Sequence, residues 1–230
     1  MSTDNESVRL NKYLALHAGV SRREADEFVL RGRVTVNGKT AVNGMQISPT
    51  DSVELDEEPL NKTTELIYLK LHKPVGFVCS RKAQGDTQTI YDLLPDEYNP
   101  LKSVGRLDRD SSGLIIMTND GDFAHQMTHP SFSKVKIYDV TIDKTLEPLH
   151  QQMIGDIGIN LDDGKSQLGL ECMSDNRQEW RITMSEGRNR QIRRTFSALG
   201  YTVSKLHRTN FGPYTLGNLA PGKTESVRKL

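Results

Sequence analysis

The longest compact apolar run in this chain is four residues, 114–117 (LIIM), set between a loop of alternating charge at 106–110 (RLDRD) and the turn Asn119-Asp120-Gly121. A run this short suits a buried strand and falls far below the roughly 20 residues of a membrane helix. Its neighbours fix its setting. A glycine-bounded polar loop feeds it, and Asp120 follows where it can cap a helix running to about Met127. The polar opening, residues 1–7, has no signal-peptide core, so a cytoplasmic protein with no membrane partner is expected. With 35% hydrophobic and 26% charged residues the chain reads as globular, and 230 residues suffice for a small domain beside a larger one. Cys79 and Cys172 are too few for a disulfide framework or a cysteine-built zinc site, and both are expected to be buried thiols.

Thirty basic and thirty acidic residues cancel, which excludes a uniformly basic chromatin-like protein, but the charge is unevenly placed. Residues 9–39 hold seven Lys or Arg against three acidic residues, and residues 177–208 hold eight against two, so the rest of the chain is acidic. Two positive patches on an acidic body fit a polyanion gripped at two places. Seven of the eight basic residues in the second patch are arginines. Their planar forks bind phosphate bidentately and stack on bases, which suits RNA.

The N-terminal part predicts a compact module. Leu10, Tyr13, Leu14 and Ala18 recur at helical spacing up to Gly19. Ser21-Arg22-Arg23-Glu24 has the capping-box form that opens a second helix, with Ala25, Phe28 and Val29 as its buried face and Gly32 at its end. Two short strands, 33–36 and 39–42, are joined by Asn37-Gly38, a two-residue hairpin signal. The segment LNKYLALHAGVSRREADEFVLRGRVTVNGK resembles the S4 RNA-binding domain over nearly its whole length. That resemblance implies that Arg9, Lys12, Arg22, Arg23 and Arg31 grip structured RNA.

Residues 56–64 are polar and aperiodic and contain Pro59, so they read as a linker. The expected organisation is an S4-like module at 8–56, a linker at 57–65 and a larger domain at 66–230. In the larger domain, strands are predicted at 66–71, 77–80, 114–117, 135–142, 179–184 and 201–206, with helices near 89–94, 120–127, 146–154 and 190–199. The irregular alternation, with strands recurring in pairs, favours an α+β fold whose sheet is mainly antiparallel or mixed and flanked by helices.

The loop at 106–110 carries the chemistry. An aspartate flanked by two arginines is expected to be ionised at neutral pH, which equips it as a nucleophile or base and not as an acid. From the residues alone, Asp108 reads more readily as a structural loop aspartate paired to a neighbouring arginine. Asp108, Asp110, Asp120 and Asp122 are also close enough in sequence to suggest a metal, but their spacing departs from the calcium-loop pattern and no metal site is expected.

Four stretches in order, LHKPVGFVCS from Leu71, GRLDRDSSGLIIMTNDG from Gly105, THPSFSKVKIYDV from Thr128 and EGRNRQIRRTFSALGYTVSKLHR from Glu186, resemble the S4-domain-containing ribosomal RNA pseudouridine synthases of the RsuA/RluB/RluF type. The resemblance runs from Arg9 to about Gly222. It implies an isomerase that converts a uridine of ribosomal RNA to pseudouridine and needs no organic cofactor. It also implies roles: Asp108 as the catalytic carboxylate, Tyr138 as the tyrosine that stacks on uracil, and Arg193 as the basic partner of Asp108. Ile192 would wall the pocket, and Arg106 would orient Asp108 or contact RNA. Arg190 and Arg194 lie on the other side of the apolar stripe Ile192, Phe196, Leu199 and could follow an RNA backbone. The expected partner is ribosomal RNA or a ribosomal subunit precursor, met by a monomer, with a slight lean toward the large subunit from EGRNRQIRR and SVRLNKY. The competing functions are a silent S4-type assembly factor, against which the intact motifs argue, and a hydrolase using Asp108 with Asp110, which lacks a proton-donating acid.

Overall fold

A computed structural model describes residues 7–60, 65–81 and 85–230. Two compact units emerge, one of residues 1–67 with 119–121 and one of residues 68–118 with 122–230. No helix among the described residues is long and apolar enough to cross a membrane.

In the first unit, β1 (Val8–Arg9) leads into α1 (Leu10–His17) and α2 (Arg22–Leu30). The capping box at α2 forms as its sequence requires, the Glu24 amide donating to Ser21 Oγ at 3.1 Å while the Glu24 carboxylate accepts from the Ser21 amide. Four strands follow: β2 (Val34–Val36), β3 (Lys39–Thr40), β4 (Gln46–Ile47) and β5 (Val53–Leu55). Asn37 and Gly38 take φ of 52° and 73°, the left-handed pair that a tight hairpin needs. Leu10, Leu14, Ala25, Val29, Val34 and Val53 close the core.

The hairpin does not stop where the linker was expected. Asp56 and Glu57 turn with φ of 53° and 67°, and β6 (Glu58–Pro59) pairs back on β5 in the sheet order β3-β2-β5-β6. Pro59 is tolerated because β6 is an edge strand. Tyr13 also donates to the Leu60 carbonyl at 2.7 Å. The polar composition of 56–60 therefore marks an exposed edge and not a free linker, while residues 61–64 lie outside the described residues.

The second unit is built on a nine-stranded sheet. Its strands are β7 (Tyr68–Lys73), β8 (Lys102–Val104), β9 (Ser112–Thr118), β10 (Lys136–Ile142), β13 (Gly169–Cys172), β14 (Glu179–Met184), β15 (Val203–Phe211), β16 (Tyr214–Thr215) and β17 (Thr224–Ser226). A separate hairpin consists of β11 (Ile159–Leu161) and β12 (Gly164–Ser166). The main path runs β13-β14-β10-β15-β9-β7-β17, and only β15 with β9 is parallel. The sheet is thus mixed and mainly antiparallel, as expected. The helices are α3 (Gly121–Thr128), α4 (Pro148–Gln152), which continues as a π-helical turn over Met153–Ile157, and α5 (Gln191–Ser197).

Some expectations need correction. Residues 77–80 form no strand, only an isolated bridge between Val78 and Thr89, because Val78 lacks a continuous partner. The short helix near 89–94 is a 3-10 turn at Ile90–Leu93. Cys79 is half-buried, but Cys172 is exposed, since β13 ends the sheet and leaves its last residue to solvent.

At the single parallel contact Gly113 faces Arg208, and Gly113 has φ of 114°. A Cβ there would overlap the main chain of Arg208. Gly113→Ala is expected to lower stability by about 3 kcal/mol or more, strain and overlap together. A urea titration checks this against Gly121→Ala, where a Cβ meets nothing within 4 Å.

Candidate active site

The loop between β8 and β9 carries Arg106, Asp108, Arg109 and Asp110. Gly105, with φ of 72°, turns the chain out of β8, and the Ser111 amide donates to the Asp108 carbonyl at 3.1 Å, tightening the return into β9. A second segment holds this loop from below. Gly76 N–H donates to the Arg109 carbonyl at 2.8 Å, and Lys73 Nζ donates to the Ser111 carbonyl at 2.6 Å and the Pro74 carbonyl at 3.0 Å. Lys73 is fully buried. Burial pushes its amine below the usual lysine value, while the charges of Cys79, Asp108 and Asp110 pull the other way. Cys79 accepts from the Leu107 amide and donates to the Leu107 carbonyl, both at 3.4 Å, and burial raises its thiol.

Asp108 projects with 32% of its side chain exposed. Arg190 Nη1 lies 3.6 Å from Asp108 Oδ2, and the same guanidinium grips Asp110 with Nη1 at 3.1 Å and Nη2 at 3.2 Å. Partial burial alone would raise the Asp110 carboxyl, but the Arg190 hydrogen bond and the charges of Arg193 and Arg190 outweigh it and hold Asp110 below the ordinary carboxylate range.

The sequence expectation that Arg193 pairs with Asp108 is therefore corrected. Arg193 Nη1 donates to the Val203 carbonyl at 2.6 Å, and Nη2 donates to the Asp110 carbonyl at 2.9 Å and to Ser111 Oγ at 3.4 Å. Its ion pair is with the Asp110 carboxylate, Nε to Oδ2 at 3.5 Å. Geometry explains the exchange. Arg193 of α5 is held on the Val203 carbonyl of β15 and meets the end of the loop, whereas Arg190, just ahead of α5, reaches both Asp108 and Asp110.

The other expected residues divide into those the sheet aligns and those it separates. Tyr138, 7% exposed, stands on β10 opposite Arg208 of β15, which stands opposite Gly113 of β9, opposite Lys73 of β7. One row of the sheet thus runs from Tyr138 to the foot of the acidic loop. Among the described residues Tyr138 makes no hydrogen bond to Asp108. Ile192 is buried in α5 with Phe196. Arg106 is exposed beside the loop.

The RNA-binding candidates sit less uniformly than expected. Arg9, Arg23 and Arg31 are exposed, Lys12 is half-buried, and Arg22 is exposed with its guanidinium on Asn11 Oδ1 at 3.0 and 3.2 Å. Arg194 is not free to follow a backbone. Its fork closes on Asp163 at 2.7 and 3.1 Å and on the Asn189 carbonyl at 2.8 Å. Arg188 joins it on Asp163 at 2.8 Å, so the hairpin of β11 and β12 clamps the segment before α5.

Two buried cations escaped the sequence reading. Lys73 is in phase with Leu69 and Leu71, the buried side of β7. Arg208, 2% exposed, is in phase with Leu206. It donates from Nε to the Leu114 carbonyl at 2.8 Å and lies 4.7 Å over the Phe211 ring, with Nη2 buried and unpaired. A charged residue continuing an apolar alternation was the available signal.

Comparison with known proteins identifies the family. Residues 67–198 match the family model described as RNA pseudouridylate synthase, and residues 8–53 match the S4 domain. A relative from Pasteurella multocida named ribosomal small subunit pseudouridine synthase A is 38% identical, with 96% of each chain covered. One from Bacillus subtilis named ribosomal large subunit pseudouridine synthase B is 34% identical over 95% of this chain and 91% of its own. A crystal structure described as pseudouridylate synthase superimposes with a TM-score of 0.66 at 32% identity, covering 96% of both chains. The two matched segments, in this order and over nearly the whole length of such relatives, make the chain a member of the RNA pseudouridylate synthase family, an isomerase whose catalytic domain follows an S4 domain.

Proposed function

We propose that this chain isomerises a uridine of ribosomal RNA to pseudouridine, with Asp108 as the carboxylate that reacts. The observation that carries the reading is the placement of Asp108: a half-exposed carboxylate on a loop clamped by Lys73 and Gly76, met by a guanidinium at 3.6 Å, inside the family's matched segment.

The reaction breaks the N1–C1′ bond, turns the base and forms the C5–C1′ bond. One proton leaves C5 and one arrives at N1, so there is no net redox change. Asp108 acts on the nucleotide either by attack at C1′ or by taking the C2′ proton, and both routes lead through the same bond cleavage. The target base must leave its stack before it can turn. Tyr138 supplies an aromatic face for the extruded uracil and a candidate acceptor for the C5 proton. Ile192 is the apolar wall, and the exposed Arg106 orients Asp108 or contacts RNA. Arg193, anchored on the loop's own carbonyl, positions the acidic loop.

Arg9, Lys12, Arg22, Arg23 and Arg31 of the S4 domain hold the surrounding RNA. Ribosomal RNA as substrate follows from relatives named for both ribosomal subunits. The large subunit keeps the slight preference drawn from the sequence. A single chain carries both the gripping unit and the reacting groups, which suits a monomer working in the cytoplasm.

Incubation with unmodified small- and large-subunit rRNA, naked and as subunit precursors, is expected to yield pseudouridine at one defined position. Its absence from every one of these substrates overturns the reading, and free uracil would indicate a hydrolase. Asp108→Asn is expected to abolish product while RNA affinity stays within about threefold, because the carboxylate does chemistry and does not anchor. Replacing Arg9, Arg23 and Arg31 together by Gln is expected to flatten the dependence of log K on log salt by about two units. The rise in KM should exceed any fall in kcat.

A further inference from the structure

Four arginines lie within residues 188–194, and the structure holds them by different means. Arg188 donates to the carbonyls of Gly164 and Lys165, Arg193 to those of Val203 and Asp110, and Arg194 to that of Asn189. Main-chain carbonyls cannot follow a departing side chain, so these three are fixtures. Arg190 differs. Among the described residues its guanidinium contacts are all with carboxylates, Asp110 at 3.1 and 3.2 Å and Asp108 at 3.6 Å, and 44% of its side chain is exposed. Its backbone stands at φ 46° and ψ 32°, a left-handed conformation unusual for a residue with a Cβ. Strain of this kind is held in place by the surrounding structure and collects at working sites.

A phosphate has the same match to the planar fork as a carboxylate does, and it carries its charge wherever the RNA goes. RNA entering this site brings that charge toward Asp108 and Asp110, which repel it unless a cation changes sides. We infer that Arg190 is an exchangeable positioning residue. In the free protein it caps Asp108 and Asp110. When RNA binds, its guanidinium passes to a backbone phosphate beside the target nucleotide, which leaves Asp108 open to the sugar. Asp110 is then an internal competitor of that phosphate, since it occupies both arms of the fork. Arg193 stays on Asp110 throughout and keeps the loop in place. The inference rests on Asp108 as the reacting carboxylate and adds how the substrate gains access to it.

The test measures binding and not turnover, so it stands apart from the assignment of Asp108, which fails if Asp108→Asn still makes product or if the intact protein makes none. Full-length protein is titrated with an unmodified rRNA transcript over a salt series. Arg190→Ala is expected to weaken binding by about tenfold and to flatten the salt slope by about one unit. Arg190→Lys keeps the charge without the fork, so it should keep the slope and lose about threefold in affinity. Asp110→Asn should tighten binding by about threefold where Arg190 is present and lose most of that gain in the Arg190→Ala background, a coupling that general charge repulsion does not produce. An unchanged affinity and slope in Arg190→Ala, or an equal gain from Asp110→Asn with and without Arg190, overturns the inference.

Discussion

The single parallel contact of the sheet, where β9 passes β15 at Gly113 and Arg208, decides where the acidic loop can stand. Asp110 and Arg190 are 80 residues apart in sequence, and no local rule brings them together. They meet because the loop sits at the entry to β9 while α5, which Arg190 precedes, packs against β15, the strand beside β9. The missing Cβ at Gly113 lets the two main chains close, and antiparallel pairing on both sides then fixes the register from Lys73 across to Tyr138. The placement of Asp108 and Asp110 thus depends on a backbone fit outside the loop that carries them.

Beneath the loop the unit keeps two cations out of water, Lys73 and Arg208. A charge taken from water is unfavourable without partners, and each finds them differently. Lys73 turns its amine on the Ser111 carbonyl at the end of the loop and on the carbonyl of its neighbour Pro74, which ties the loop to β7. Arg208 uses one arm on the Leu114 carbonyl and the face of Phe211, leaving another N–H unpaired. Arg190 meets both Asp108 and Asp110 and Arg193 meets Asp110, so guanidinium groups border the acidic pair. That field is what a negatively charged polymer must meet on arrival.

Local patterns were the legible part of the sequence. The capping box at Ser21, the Asn37-Gly38 turn and the strand at Glu179–Met184 rest on neighbours within a few residues, and each forms as expected. The mixed sheet followed from strands recurring in pairs, and the motif loop was found because its charges stand out against the apolar strand beside it. What stayed hidden depends on distant partners. Nothing near Asp163 announces that it clamps Arg188 and Arg194, and nothing near Arg193 shows that the loop places Asp110, not Asp108, within its reach. Residues 56–60 looked like a linker because an edge strand, wet on one side, has a linker's composition.

The far side of the sheet carries a different consequence. Late in the chain, β17 lies along β7, with Ser226 facing Leu69 and Thr224 facing Leu71, and the Lys70–Glu225 ion pair at 3.1 Å ties the two strands. Gly222 and Lys223 complete the seam through the main chain of His72. During synthesis β7 emerges some 150 residues before its cover, and until then it presents an open row of amides and carbonyls to any neighbouring chain. β17 therefore acts as a selvedge, closing an edge of β7 that another chain could otherwise pair with.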